Sequence, residues 1–314
     1  MTVPVVAIAS DLPGAYREIL SEFDLRVSEE PPRSEQELIR LFAGASAAIT
    51  LLSNQVTDRV LASSPSLKIV ANYAVGFDNI DVASAQRHGV VVTNTPGVLT
   101  AATADLTMAL ILGVTRRVIE GHSMVAAGEF AGWAPSLLLG NSLEGKLLGV
   151  VGMGRIGSEV ARRAQSFGME IIFANRSDPE AGTPGRRTSL DQLIESSDII
   201  TIHAPLNEES RGLFDERRLG AMKRGAYLIN TARGPIVDES ALAAVLRDGH
   251  LAGAGLDVYE NEPAVDPGLI ELDNVILLPH LGSATIETRS EMAAMVASDV
   301  ARVLTGKPPE NPVF

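Results

Sequence analysis

Apolar positions along this chain come in short runs separated by helical patterns. VPVVAIA (3–9), AAITLL (47–52), KIVAN (68–72) and VVVT (90–93) read as strands. Asp11 followed by Pro13 predicts one helix start, and Ser34 with Glu37 predicts a capping box for another. A long apolar helix is expected from Thr100 to Val118, then an irregular segment, GEFAGWAPSLLLGNSLEG, that holds the single tryptophan. From Lys146 the rhythm strengthens. Strands are expected at 147–151, 170–174, 198–203, 226–230, 252–257 and 275–278, and helices at 155–167, 189–196, 215–222, 238–248 and 284–305. Such alternation predicts an α/β protein with two Rossmann-like, doubly wound domains and parallel sheets. If the last helix reaches back, one domain is discontinuous, 1–99 plus 284–314, and the other covers 100–283.

Composition narrows the function classes. The chain has 314 residues, 46% of them hydrophobic, which is enough for two ordinary cores. No run approaches the roughly eighteen apolar residues of a membrane span. The start, MTVPVVAIAS, has no basic region and reads as a first strand, so a cytoplasmic protein is expected. With no cysteine, disulfides and thiolate metal sites are excluded, and no metal site is expected. A net charge of −13 argues against nucleic acid and anionic membranes as partners. An anionic ligand would then need a few local cations.

Ligands of open parallel sheets bind beyond the carboxyl ends of the strands. In the second part those positions are Gly152–Gly154, Asn175–Arg176–Ser177, His203–Ala204–Pro205, Thr231–Ala232–Arg233, Asp257 and Pro279–His280. The polar groups gather at one sheet edge, as a single cofactor site requires. VVGMGRIG places Gly152, Gly154 and Gly157 in G-x-G-x-x-G spacing between a buried strand and a helix. Gly152 would allow the tight turn, Gly154 the approach of a pyrophosphate, and Gly157 the helix–strand packing, with Arg155 and Ile156 opening the helix. In EIIFANRSDP an acid is expected after the strand to hold a ribose 2′-hydroxyl, and Arg176 stands there instead. An acid would repel a 2′-phosphate. Arg176 would attract one, with Asn175 and Ser177 as neutral donors, or else only stack on the adenine. Asp178 lies one residue past that contact, where Pro179 would steer the chain away.

Three residues have two readings each. Arg233 could be a structural ion pair or a bidentate clamp on a carboxylate. His280 could be a satisfied core histidine or a proton donor, and Glu262 a surface carboxylate or its partner. A carboxylate beside an imidazole favours the charged imidazole, which suits proton donation to a carbonyl oxygen.

NTARG, GLDVYENEP and LLPHLGSAT together resemble the D-2-hydroxyacid dehydrogenase family. ANYAVGFDNID, TNTPGVLTAATADL and VVGMGRIG resemble its glyoxylate/hydroxypyruvate reductase branch. The resemblance implies hydride transfer between a nicotinamide and C2 of a small 2-oxo acid, in a cleft between the domains. It implies Arg233 on the substrate carboxylate and reacting oxygen, His280 as proton donor, Glu262 as its partner, and the amides of Val75 and Gly76 on the carboxylate. Toward the cofactor it implies Thr103 on the pyrophosphate, Asp257 at the nicotinamide end, and Thr231, Ala232, Pro205 and Gly282 alongside. With Arg176 in place, NADPH is the expected cofactor and NADH a possible one. Trp133, in a W-x-P context, would come from the neighbouring subunit of a homodimer to limit the substrate pocket, although packing is its ordinary role. Two alternatives are a reductase of a bulkier 2-oxo acid and a dinucleotide-sensing interaction protein without turnover. A 3-phosphoglycerate dehydrogenase is disfavoured because the chain stops at Phe314. A formate dehydrogenase is disfavoured because that branch carries a glutamine where Glu262 stands.

Overall fold

Parallel strands with helical crossovers build both halves of the chain. The computed structural model describes residues 3–178 and 182–314, so Pro179 lies outside the described residues. Two compact units emerge, Met1–Leu99 with Ser283–Phe314, and Thr100–Gly282. In the first unit, β1 (Val5–Ile8), β2 (Asp24–Val27), β3 (Ala47–Thr50), β4 (Ile69–Asn72) and β5 (Val91–Thr93) form one parallel sheet. Its order is β2-β1-β3-β4-β5. Strand β2 was not expected. No position in it is fully buried and alternate ones are exposed, as befits a sheet edge, so its apolar signal is weak.

Helices α1 (Tyr16–Ile19), α2 (Glu35–Phe42), α3 (Asp58–Ala62) and α4 (Val82–Arg87) connect these strands. The start expected at Asp11 is displaced to Tyr16. Asp11 does not cap a helix but accepts hydrogen bonds from the Tyr16 hydroxyl and from Arg17 Nη2, the latter at 2.9 Å. Ser34 does cap α2, accepting the Glu37 amide at 3.3 Å. Glu37 returns a bond to the Arg33 amide at 2.7 Å, one residue before the cap.

The second unit opens with α5 (Thr100–Thr115) and α6 (Val118–Ala126), where one helix to Val118 was expected. The break falls at Arg117, whose φ of 55° is left-handed and whose guanidinium pairs with Glu120 at 2.6 Å. Then follow β6 (Leu147–Val151), α7 (Arg155–Ser166), β7 (Glu170–Ala174), β8 (Arg186–Arg187), α8 (Leu190–Ser196) and β9 (Ile199–Ile202). After them come α9 (Glu216–Ala221), β10 (Tyr227–Asn230), α10 (Glu239–Arg247), β11 (Gly253–Leu256), α11 (Pro267–Ile270) and β12 (Val275–Leu277). The seven strands run parallel in the order β12-β11-β10-β9-β6-β7-β8. Strand order therefore reverses between β6 and β9, the switch point at which such sheets open a ligand crevice.

Alternation along the strands feeds a core on each face. Leu148 and Val150 of β6 join α5 and α7 in one core, and Val151 joins the other with Leu193, Ile202 and Leu228. Full burial of one such side chain contributes about 1.5–3 kcal/mol. The last helix, α12 (Ile286–Leu304), is capped by Thr285 and belongs to the first unit. It packs on β3, β4 and α1 through Ala293, Val296, Ala297 and Val300. Among the described residues no helix is long and apolar enough to cross a membrane.

Candidate active site

The glycine turn after β6 is built so that only glycine fits where it matters. Gly152 has φ 94°, and a Cβ there would stand 2.7 Å from the backbone of His203 and Ala204, across the switch point. A Cβ on Gly157 would stand 2.3 Å from Gly152 O, so glycine lets α7 press against the turn. At Gly154 a Cβ would meet nothing within 4 Å, which leaves open space over the start of α7. No side chain caps that helix, so the N–H groups of its first turn, from Arg155 onward, face an open edge. These are the features a dinucleotide pyrophosphate needs, and the residues fit that group. Ile156 turns the other way, into the core shared by α5 and α7.

Beside the turn lies a cavity of about 610 Å³. Gly152, Asn175, Arg176, Ser177 and Pro205 line it, as the sequence suggested, together with Arg187 and Glu209, which it did not. The Asn175 side chain ties the two strand ends together: Oδ1 accepts the Met153 amide at 3.3 Å, and Nδ2 donates to Ser177 O at 3.0 Å. Arg176 Nη1 pairs with Glu209 Oε2 at 3.2 Å. Arg187 pairs with Asp178 at 2.5 Å and donates from Nη2 to Asn175 O at 2.8 Å.

A second cluster forms at the ends of β10, β11 and β12. His280 Nδ1 lies 3.0 Å from Glu262 Oε2, and the Tyr259 amide donates to Glu262 Oε1 at 3.1 Å, so both carboxylate oxygens are oriented. Burial raises the pKa of Glu262. The hydrogen bond and charge of His280, the Tyr259 amide and the nearby Arg233 outweigh it and hold the group below its ordinary value. It is therefore ionised at neutral pH. An Nδ1–H donated to this carboxylate leaves Nε2 as the ring atom for an incoming ligand.

The backbone of His280 is left-handed, with φ 56°. Asp257 holds that turn. Its own carbonyl accepts the His280 amide at 3.0 Å, Oδ1 accepts Leu281 N at 2.6 Å, and Oδ2 accepts Gly282 N at 2.8 Å. Asp257 is fully buried, which pushes its pKa up against the pull of those amides and of His280.

Thr103 Oγ1 donates to Gly282 O at 3.0 Å, and Thr107 and Thr231 share a hydroxyl bond of 3.0 Å. Both contacts tie α5 to this edge. Arg233 follows β10 in a turn that Asn230 braces, accepting Ala232 N at 3.0 Å and donating to Arg233 O at 2.9 Å. Arg233 Nη1 donates to Ala232 O at 2.8 Å. Thr107, Asn230 and Tyr259 were not singled out from sequence. Asn230 stands directly before TARG and Tyr259 within DVYENE, while the only signal for Thr107 was its place one helical turn after Thr103.

The other histidines lack this setting. Burial pushes the His203 pKa down to about 3, so it is neutral, and it bonds Thr201 Oγ1 at 2.9 Å. His250 faces Met222 O, and His122 is exposed. His88, in the first unit, meets Asp58 in a half-open position. In that unit the loop carrying Val75 and Gly76 is fixed through its carbonyls. Asn94 Nδ2 donates to Val75 O and Asn72 Nδ2 to Gly76 O, each at 2.7 Å. Trp133 is not gathered into either cluster within this chain and is 83% exposed.

An uncapped helix behind a glycine turn, at the switch point of a parallel sheet, defines a dinucleotide-binding α/β protein. The chain belongs to the D-isomer specific 2-hydroxyacid dehydrogenase family, whose NAD binding domain matches residues 108–282. It is 46% identical to a glyoxylate reductase of Aeropyrum pernix, over 99% of this chain and 96% of that one. The crystal structure of the TT0316 protein from Thermus thermophilus aligns with a TM-score of 0.94 at 42% identity, covering 99% of this chain and 100% of that one. An NADPH-dependent glyoxylate/hydroxypyruvate reductase from Sinorhizobium meliloti, in complex with NADP and malonate, aligns at 0.90 with 32% identity, covering 99% and 97%.

Proposed function

We propose that this protein reduces a small 2-oxo acid, glyoxylate or hydroxypyruvate, to the D-2-hydroxy acid, using NADPH in preference to NADH. The observation that carries the reading is the His280–Glu262 pair, held at the sheet edge of the unit that matches the family's NAD binding domain. The bound nicotinamide would supply the hydride. Charge then develops on the C2 oxygen. His280, with Nδ1–H on Glu262, would give its Nε2 proton to that oxygen and become neutral imidazole, and Glu262 would stabilise the charged ring that precedes the transfer. Arg233 would hold the substrate carboxylate and face the same oxygen, an interaction that strengthens as charge builds. The amides of Val75 and Gly76 are proposed as further carboxylate donors. Thr231, Ala232, Asp257 and Gly282 would border the nicotinamide end, with Thr103 and the backbone of Gly154, Arg155, Ile156 and Gly157 at the pyrophosphate. Asn175, Arg176, Ser177 and Pro205 would surround the adenosine.

The test is loss of NADPH or NADH absorbance with glyoxylate, hydroxypyruvate, pyruvate and phenylpyruvate in parallel. The expected order of kcat/KM places the two small polar acids first and NADPH above NADH. Absence of turnover on every acid would overturn the enzymatic reading. Phenylpyruvate as the best substrate would overturn the small-acid assignment.

The reading includes a cytoplasmic homodimer. Helix α6 has no buried residue, and Val118, Ile119, Val125, Phe130, Trp133 and Leu139 are each at least half exposed along α6 and the segment after it. Apolar surface of that extent on one stretch suits an isologous interface. Sedimentation equilibrium should give a dimer, and Val125→Asp should shift it toward monomer with loss of turnover. A fully active monomer would refute the interface and Trp133's role in it.

A further inference from the structure

We infer that Glu209 weakens the preference for a 2′-phosphorylated dinucleotide by holding Arg176 in an ion pair that the phosphate must displace. This rests on the reading that the cavity beside Gly152 takes the adenosine end of the cofactor.

The cation expected to select a 2′-phosphate is already engaged, with Arg176 Nη1 3.2 Å from Glu209 Oε2. Hydrogen bonds tie the backbone on both sides of this pair. Asn207 Oδ1 accepts the amides of Glu209 and Ser210, each at 3.0 Å, and Ser210 Oγ donates to Pro205 O at 2.7 Å. These bonds pin the turn that carries Glu209 to the end of β9. On the opposite wall, Arg187 Nη2 reaches the carbonyl oxygens of Asn175 at 2.8 Å and Arg176 at 3.3 Å, bracing the backbone that carries Arg176. Arg187 is itself matched by Asp178.

Among the described residues, each guanidinium lining this cavity, Arg176 and Arg187, therefore faces a carboxylate, Glu209 in the lining and Asp178 beside it. A 2′-phosphate must compete with Glu209 for Arg176 and also sit close to the Glu209 carboxylate. A 2′-hydroxyl faces neither demand. The pair thus acts against the phosphorylated nucleotide and leaves the other nearly untouched. Both side chains are mostly exposed, so solvent and salt screen the effect and keep it modest.

Calorimetric titration of the full chain with adenosine 2′,5′-bisphosphate and with adenosine 5′-monophosphate isolates the 2′-phosphate. Glu209→Gln should raise the affinity ratio of the two by about threefold to fivefold, mostly through the bisphosphate. Glu208→Gln removes the same charge from an exposed neighbour that does not line the cavity, and should leave the ratio within about twofold at moderate salt. In an Arg176→Ala background the gain from Glu209→Gln should shrink well below that of the single variant. An unchanged ratio in Glu209→Gln, an equal rise in Glu208→Gln, or an undiminished gain without Arg176 would each overturn the inference. If the wild-type protein binds neither nucleotide, the adenosine reading of the cavity itself falls. Binding of both with no response to Glu209 would leave that reading standing and remove only this step.

Discussion

His280→Asn should lower kcat for 2-oxo acid reduction by between about a hundredfold and ten-thousandfold, the range a positioned general acid supplies. Asparagine is the informative replacement. His280 has a φ of 56°, and Asn tolerates the left-handed region better than Ala does, so the turn through Leu281 and Gly282 should survive. The amide side chain can still meet Glu262 but cannot deliver a proton. Cofactor affinity should stay near the wild-type value, because the glycine turn and the cavity beside it belong to β6, β7 and β9 rather than to the end of β12. Near-normal kcat with intact cofactor binding would remove His280 from the proton-donor role. Unchanged kcat in a Glu262→Gln variant would likewise detach the carboxylate from catalysis.

Much of the fold was legible because buried parallel strands are short apolar runs, and those of the second sheet are bounded by glycines and polar ends. The failures share a physical cause. Edge strands β2 and β8 bury too little to leave an apolar signature, as the exposed Arg186 and Arg187 show. The break at Arg117 depends on a left-handed residue whose own side chain pairs locally, which periodicity cannot register. At the candidate site, the residues immediately after strands were visible from sequence because topology alone sends them to one edge. Those that brace them were not. Asn230 acts through turn bonds two and three residues away, which residue type alone does not announce, while Tyr259, Arg187 and Glu209 act through contacts between distant positions, 33 residues apart in the case of Arg176 and Glu209. The EIIFANRSDP stretch shows the limit well: it reveals one arginine, while the charge that faces it comes from a different loop.

Asp257→Ala should destabilise the second unit and disable catalysis together. The carboxylate is fully buried and is the acceptor for the amides of Leu281 and Gly282, at 2.6 and 2.8 Å. Deleting it leaves one buried and one half-buried N–H group without that acceptor, each costing up to about 1–3 kcal/mol. A loss of about 2–5 kcal/mol is therefore expected in denaturant unfolding, with some relaxation of the turn toward solvent. The catalytic consequence follows from the backbone. Left-handed conformation at a non-glycine residue persists only while its surroundings hold it, and here the clamp spans the two residues directly after His280. Released, the imidazole would no longer be presented to the C2 oxygen with Nδ1 on Glu262. The kcat should fall by at least about tenfold in protein that remains folded, since small misplacements of a catalytic group are costly. Asp257→Asn separates positioning from folding, because its amide oxygen can still accept one of the two N–H groups. It should lose roughly half the stability of the Ala variant and an intermediate share of kcat, with binding of adenosine 5′-monophosphate unchanged. An Asp257→Ala protein with wild-type unfolding and wild-type kcat would show that the His280 turn is held by β12 alone.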